Sequence, residues 1–202
     1  MGGGVGPTLV IATHNRGKQE EIADLLRAHP VTLLYAPDLG LTEPEETEDS
    51  FVGNARIKAH AAARASGLPA LADDSGLCVD ALAGAPGVHT ADWAETPQGR
   101  DFGLAMERVR KELEAEAAPP PWRAQFRCTL VLAWPDGSDR VFEGEMAGHL
   151  VWPVRGALGH GFDPMFQPDG HVETCGEMDR WVKNRISHRG LAFAKLLEEC
   201  FT

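Results

Sequence analysis

No part of this sequence approaches the roughly 20 consecutive apolar residues that a membrane-crossing helix requires, so no membrane partner is expected. Positive charge is also scarce. Lys and Arg total 19 against 30 Asp and Glu, a formal net charge of −11. A general nucleic-acid binder needs a basic face to neutralise phosphates, so no nucleic-acid partner is expected either; one small, locally basic pocket for a single nucleotide remains compatible with the balance. Cysteine is limited to Cys78, Cys128, Cys175 and Cys200, widely spaced and without a Cys-x-x-Cys pair. That pattern argues against zinc and for reduced, packed thiols in a cytosolic protein. The start, Met1-Gly2-Gly3-Gly4, has neither the basic nor the long apolar region of a secretory leader, which again points to the cytoplasm. There is no internal repeat, and no low-complexity tract beyond an acidic patch and a run of prolines.

Against those absences one heptapeptide stands out, Leu71-Ala72-Asp73-Asp74-Ser75-Gly76-Leu77. Leu68 to Ala72 reads as a short buried strand delivering two carboxylates and a hydroxyl into a Gly turn. A second apolar run (Leu77, Val79, Ala81, Leu82) follows. Two adjacent carboxylates repel and are costly to desolvate unless a cation or hydrogen bonds compensate them. Oxygen-only ligands of this kind suit Mg²⁺, which takes one or two carboxylates, keeps several waters and binds substrate phosphates. A solvent-facing Asp-Asp-Ser-Gly turn between strands would use the same residues.

At 202 residues the chain fits one large domain or two small lobes with a substantial core. Thr8 to Ala12 is a β-branched run read as a strand, and Val31 to Tyr35 is a second. Between them Thr13-His14-Asn15-Arg16-Gly17-Lys18 leads into an amphipathic helix with Ile22, Leu25 and Leu26 on its apolar stripe and Pro30 beyond its end. Strand, polar Gly-containing loop and helix start form the geometry that holds phosphate, although the Gly-Lys-Ser/Thr ending of a P-loop is missing. The acidic stretch Thr42 to Ser50 reads mainly as a solvated loop, one of whose carboxylates is free to serve a metal. Phe51 to Ser66 is an Ala-rich helix, N-capped by Asp49 or Ser50 and closed by Gly67 and Pro69. Asn54 and Lys58, four apart, share a face.

Asp101 to Ala118 is a further helix, stopped by Pro119-Pro120-Pro121, which reads as a lobe boundary or stiff connector. Arg123 to Trp134 and Arg140 to Glu145 form a hairpin through Pro135-Asp136-Gly137-Ser138. Gly156 to Gly170 is an irregular Gly/Pro/His/Phe-rich loop of the kind that lines ligand sites. Ser187 caps the last helix, with His188 and Arg189 in its first turn, a setting that calls for an anion.

Six segments together resemble the family of inosine/xanthosine triphosphate pyrophosphatases, in that family's order and spacing from about Leu9 to Leu197. They are Thr13 to Lys18, Phe51 to Ala59, Ala72 to Leu77, Gly84-Ala85-Pro86-Gly87-Val88, Phe162-Asp163-Pro164-Met165-Phe166 and Ser187-His188-Arg189. The resemblance implies an α/β fold with a long mixed central β-sheet flanked by helices. It implies two lobes with a nucleotide-binding cleft between them in a single domain, 1–202, and the triple proline at residues 119–121 is the candidate lobe boundary. A homodimer is usual. The implied activity is Mg²⁺-dependent hydrolysis of the deaminated purine triphosphates ITP, dITP and XTP between the α- and β-phosphates, giving monophosphate and pyrophosphate.

Carried over residue by residue, the resemblance makes Thr13, His14, Asn15, Arg16, Gly17 and Lys18 the loop that holds the triphosphate, with Asn54 and Lys58 as further contacts. Asp74 corresponds to the proton acceptor and a metal ligand, with Asp73 beside it in the catalytic pair and Ser75 touching the nucleotide. Glu45 falls where a second metal carboxylate is expected. His160, Gly161, Phe162, Asp163, Lys183, His188 and Arg189 surround the base. Many members carry an aromatic residue, Gly, then Tyr or Trp before the Asp-Pro; here the place reads His160-Gly161-Phe162, leaving two candidates for the stacking residue. Arg180, Trp181 and Val182 also replace the mostly acidic turn before Lys183.

The chemistry is coherent on its own terms. Lys18, Lys58 and a metal offset the charges of a triphosphate, and phosphoryl transfer needs positioning more than a protein nucleophile. A base with a 6-oxo acceptor suits donors such as His188 and Arg189, whereas adenine would leave them unpaired. A haloacid-dehalogenase-type phosphatase needs Asp-x-Asp, which adjacent Asp73 and Asp74 do not supply. The motifs Asp73-Asp74-Ser75-Gly76 and Ser187-His188-Arg189 argue against the related septum-associated pyrophosphatases, which have a similar fold and another base preference. A non-catalytic nucleotide-sensing module would be expected to keep the binding cations and lose the metal carboxylates, and this chain retains both.

Overall fold

In a computed structural model the described residues are 6–201, so the Met1–Gly4 start lies outside them. Along the chain run β1 (Thr8–Ile11), α1 (Arg16–Leu26), β2 (Thr32–Tyr35), α2 (Phe51–Ser66), β3 (Ala70–Val79), the short pair β4 (Glu95–Thr96) and β5 (Gly99–Arg100), α3 (Phe102–Ala115), β6 (Trp122–Ala133), β7 (Asp139–Leu150), β8 (Phe166–Pro168), α4 (Arg180–Ile186) and α5 (His188–Cys200). Six strands form one sheet in the order β2-β1-β3-β6-β7-β8, and β4 pairs with β5 apart from it. The sheet is mixed, as expected: β1 is parallel to β2 and β3, while β7 and β8 are antiparallel.

The chain divides into two compact units, crossing from one to the other at Asp74/Ser75, Arg127/Cys128, Gly144/Glu145 and His188/Arg189. In the unit that holds the early part of the chain, strand alternation sorts the core onto two faces. Leu9, Ile11 and Leu71 pack with Ile22 and Leu26 of α1 and with Phe193 and Leu196 of α5. Val10, Ala12, Ala70 and Ala72 face the other way, onto Ala55, Ala59, Ala62 and Ala63 of α2. Small side chains on both partners let α2 lie close to the sheet. Ser50 caps α2 by accepting the Gly53 N–H at 3.2 Å, and Gly67 closes it at a φ of 69°. In the second unit Leu77, Val79, Phe126, Met146, Leu150 and Phe166 pack with Ala105, Met106, Val109 and Leu113 of α3.

Several elements differ from the sequence reading. The Asp-Asp-Ser-Gly segment is no turn: β3 runs unbroken for 10 residues through both carboxylates. β6 neighbours β3 on one edge, while β1 pairs with it only at Ala70 and Leu71; beyond Gly76 the Leu77 N–H donates to Thr90 Oγ1 at 2.9 Å, and the buried alternation of Leu77 and Val79 carries the strand on. The second hairpin arm extends to Leu150, and the loop expected over 156–170 contains a 3₁₀ turn, Asp163–Met165, followed by β8. A short helix, α4, precedes the last one, its N-terminus capped by Asp179 accepting from the Trp181 N–H at 2.9 Å. Pro119 to Pro121 lie within the second unit, between α3 and β6.

Candidate active site

The two acids of β3 are successive residues of a strand, so they project to opposite faces. Asp73 follows Leu71 onto the α1/α5 side. It is fully buried, with Lys18 Nζ at 3.1 Å and Arg189 Nη2 at 2.9 Å. Arg189 in turn pairs with Glu21 of α1 through its other terminal nitrogen. Asp74 follows Ala72 onto the α2 side, where Lys58 Nζ lies at 3.5 Å and reaches Glu46 of the acidic loop at 2.6 Å. The amines of the first loop and of the Ala-rich helix therefore converge on the acidic pair from opposite sides of one strand.

Their electrostatics diverge accordingly. Burial alone would raise the Asp73 carboxyl, but Lys18, Arg189 and Lys58 outweigh it and hold the group well below the ordinary carboxylate range. For Asp74 burial wins over Lys58 and Lys18, assisted by the negative charges of Glu46 and Asp73, and its pKa is raised to about 6. Lys58, despite the opposing effect of burial, is held above its usual value by Asp74, Asp73 and Glu46. Adjacent carboxyls pushed apart in this way is the signature of one permanent anion beside one group able to exchange a proton near neutrality.

The loop ahead of α1 is organised by its own polar atoms. Asn15 is the N-cap, its Oδ1 accepting the Lys18 N–H at 3.2 Å, and Thr13 Oγ1 accepts the Asn15 N–H at 3.2 Å. The first turn of an 11-residue helix, with Gly17 in it, thus carries Lys18 beside Asp73. Arg16 is exposed and pairs with Glu20 one turn along. His14 is tied to the Leu41 carbonyl through Nε2 at 3.0 Å and lines a cavity of about 250 Å³ with Ala12, Glu43, Lys58 and Ala62. Asn54, buried, has its Oδ1 accepting the Glu48 N–H at 3.0 Å, so it anchors the acidic loop from which Glu46 reaches Lys58.

Among the described residues no group of three or more His, Cys, Asp or Glu is arranged to hold a metal ion. The available donor set is all oxygen, Asp74 with Glu46 across Lys58. Glu45, expected as the second carboxylate, is exposed, and it is its neighbour Glu46 that meets Lys58. A one-residue ambiguity in a Glu-Glu pair is beyond sequence reasoning, because the loop has no period. Glu21 has no signal of its own in the sequence; it lies one helical turn from Lys18 and pairs with Arg189, the cation that also meets Asp73.

In the second unit Lys183 of α4 donates to Asp163 Oδ2 at 2.5 Å, and the same oxygen accepts the His160 N–H at 2.5 Å. Gly159, at a φ of 76°, makes room for this: a Cβ there would meet Asp163 Oδ2 at 2.1 Å. Of the two candidates for base stacking, Phe162 is buried at 1 % exposure, edge-on to Phe102 at 5.7 Å, while His160 is exposed. Gly161 adjoins Phe102, and Ser75 is half-buried next to Asp74 in β3. His188 is buried and stacks on Phe126, with ring centroids 5.0 Å apart and planes 17° apart. Phe126 carried no signal in the sequence beyond its place in a strand.

A mixed α/β sheet whose central strand carries two buried acids, each met by a lysine from a flanking helix, defines an α/β protein equipped to hold a charged oxyanion ligand. The chain belongs to the Ham1 family, whose model matches residues 9–199. It is 66 % identical over 196 residues to the dITP/XTP pyrophosphatase of Ruegeria pomeroyi, covering 97 % of this chain and 96 % of that one. The dITP/XTP pyrophosphatase of Rhodospirillum centenum is 60 % identical over the same shares of the two chains. The solved structure of a Ham1 protein from Coxiella burnetii superposes with a TM-score of 0.87 at 35 % identity, over 95 % of this chain and 97 % of that one. The family expected from the six motifs, and the α/β fold with it, are thereby established.

Proposed function

We propose that the chain is a single nucleoside triphosphate pyrophosphatase domain that hydrolyses deaminated purine nucleoside triphosphates (ITP, dITP, XTP) to monophosphate and pyrophosphate. The relatives' shared activity supports the class of reaction. The observation that carries it to this chain is the pairing of Lys18 with Asp73 and of Lys58 with Asp74 around one buried strand.

Asp74 and Glu46 offer hard oxygen donors of the kind a divalent cation takes, which fits Mg²⁺. Mg²⁺, when bound, supplies a Lewis acid to phosphate oxygens and eases deprotonation of water. The rest of the chemistry belongs to side chains. A triphosphate entering at the first loop meets the N-terminus of α1 and Lys18, whose carboxylate partner Asp73 keeps the lysine extended. Lys58 offsets charge on the other side of β3. Asp74, the acid of the pair that burial raises in the metal-free chain, serves as general base, accepting the proton of the water that attacks the α-phosphorus. Asp73 stays ionised and fixes Arg189 and Lys18.

Donors of the second unit, His188 and Lys183 held by Asp163, take the base; Arg189, expected beside them, is paired with Asp73 and Glu21. A 6-oxo group satisfies such donors; the adenine amine leaves them unpaired, a cost of about 1–3 kcal/mol for each buried group. His160 is the better candidate for stacking, since Phe162 is spent in the core. Mg²⁺ as the metal, a homodimer and a cytoplasmic site of action belong to the same proposal and rest on the family resemblance. A panel of ITP, XTP, dITP, ATP and GTP assayed for pyrophosphate with Mg²⁺ and with EDTA tests it. Preference for the 6-oxo bases with loss of activity on chelation is expected; equal kcat/KM for ATP and ITP contradicts the donor-lined base site, and no pyrophosphate in either condition contradicts an enzyme.

A further inference from the structure

His188 stands in the proposed reading as a donor to the base, and a donor discriminates only if its direction is fixed. An imidazole has two rotatable bonds, and its N–H groups lie in the plane of the ring. Whatever sets that plane sets where the hydrogen bond can go. In this chain the plane is set by another ring. Phe126 of β6 lies parallel to the imidazole at 5.0 Å between centroids and 17° between planes. Phe126 is itself braced by Phe166, 4.5 Å away at 45°, and Phe166 is completely buried. The imidazole therefore rests on a two-ring wall belonging to the core of the second unit, in which Phe126 and Phe166 pack with Met146 and Leu150.

We propose that Phe126 is a positioning residue for base selection: by stacking on His188 it locks the imidazole plane so that the ring's edge, and not its face, addresses the nucleobase. The inference rests on the reading of His188 as a base-side contact and adds to it a residue that touches neither base nor phosphate. Phe126 lies in mid-strand, 6 % exposed, and its alternation in β6 sends it to the inside, so hydrophobic packing alone would be met equally by leucine. What leucine cannot supply is a flat surface. Without it the imidazole can tilt, and a tilted donor still binds a base but distinguishes a 6-oxo from a 6-amino group less well. Parallel aromatic contacts are worth about 0.5–1.5 kcal/mol beyond burial, which converts to a roughly two- to tenfold loss of selectivity.

The test is the ratio of kcat/KM for ITP to that for ATP in Phe126→Leu, Phe126→Tyr, His188→Ala and the double variant Phe126→Leu/His188→Ala, each first checked for a cooperative melt. Phe126→Leu should lower the ratio by roughly two- to tenfold, Phe126→Tyr should restore it to near the unsubstituted value, and Phe126→Leu should change nothing further once His188 is gone. A ratio unchanged in Phe126→Leu but reduced in His188→Ala overturns the positioning role and leaves the base-side reading standing. A ratio unchanged in His188→Ala removes that reading and the inference with it. Equal losses on adding Phe126→Leu in both backgrounds overturn the inference by showing that Phe126 acts on selectivity without the imidazole. Should Phe126→Leu fail to fold, Phe126→Met, which also lacks a ring, carries the same comparisons.

Discussion

Asp74→Asn should cost the protein its activity and raise its stability. In the metal- and substrate-free chain Asp74 is buried and its pKa is raised from 3.8 to about 6. The unfolded chain ionises this group near 3.8, so between 3.8 and about 6 the folded state binds more protons, and stability falls as pH rises through that interval. Below 3.8 both states are protonated and there is no penalty. Above about 6 the penalty is complete. At 1.36 kcal/mol per unit the displacement from 3.8 to about 6 corresponds to about 3 kcal/mol, an order of magnitude for the strain held by the charged carboxylate. Asparagine keeps the shape and cannot ionise, while Lys58 retains Glu46 at 2.6 Å. Thermal melts in EDTA at pH 8 should therefore place Asp74→Asn above the unsubstituted protein by roughly 6–12 °C, using about 2–4 °C per kcal/mol for a chain of this size. The gap should close near pH 4. Pyrophosphate release from ITP should fall by about 10²–10⁴-fold, the usual worth of a general base. A variant that melts at or below the unsubstituted protein at pH 8 would refute the electrostatic assignment of Asp74, and one with near-normal kcat would refute its chemical role.

Further outcomes follow from other parts of the molecule. Asp139 joins α2 to the start of β7, accepting from Arg56 Nε at 3.0 Å and lying 2.9 Å from His60 Nε2. Asp139→Asn should lower the melting temperature by about 2–4 °C, for a loss near 1 kcal/mol from a partly exposed cluster. The Asp139 carboxyl is lowered from 3.8: burial opposes the shift, but the contacts with Arg56 and His60 prevail. Its contribution is therefore complete above 3.8 and lost as pH falls through the folded value below that; a difference from Asp139→Asn that persists unchanged at pH 2 would contradict it. Gly159→Ala should displace Asp163 from Lys183 and His160, reducing kcat/KM for ITP by about tenfold through the base side; unchanged kinetics would show that the Asp163 contacts are dispensable. The thiol of Cys128 is pushed up to about 12 by burial, so native alkylation at pH 8 followed by mass spectrometry should leave it unlabelled, and labelling should appear only in urea.

Sequence patterns were most informative where period and caps coincide. The bounds of α2 were legible to the residue because Ser50 caps one end, Gly67 closes the other and the face packed on the sheet is alanine, at Ala55, Ala59, Ala62 and Ala63. The Asp-Asp segment is legible as chemistry and not as structure, since Gly76 and Ser75 carry turn propensity that a strand buried on either side of them and flanked by β6 overrides. The difference has a consequence: in a strand the two acids separate onto two faces, each with its own lysine, whereas a turn would have left them together in solvent. The Glu46–Lys58 pair, the Glu21–Arg189 pair and the Phe126–His188 stack join residues 12 to 168 apart, and no local pattern encodes such contacts. Phe162, one of the two residues the family resemblance offers for base stacking, is buried in the core edge-on to Phe102.

The most direct test is the identity of the products released from XTP by the Mg²⁺-loaded protein, separated by anion exchange and counted against substrate consumed. One xanthosine monophosphate and one pyrophosphate per XTP is the predicted result. Xanthosine diphosphate with orthophosphate would place the cut at the wrong anhydride and contradict the account.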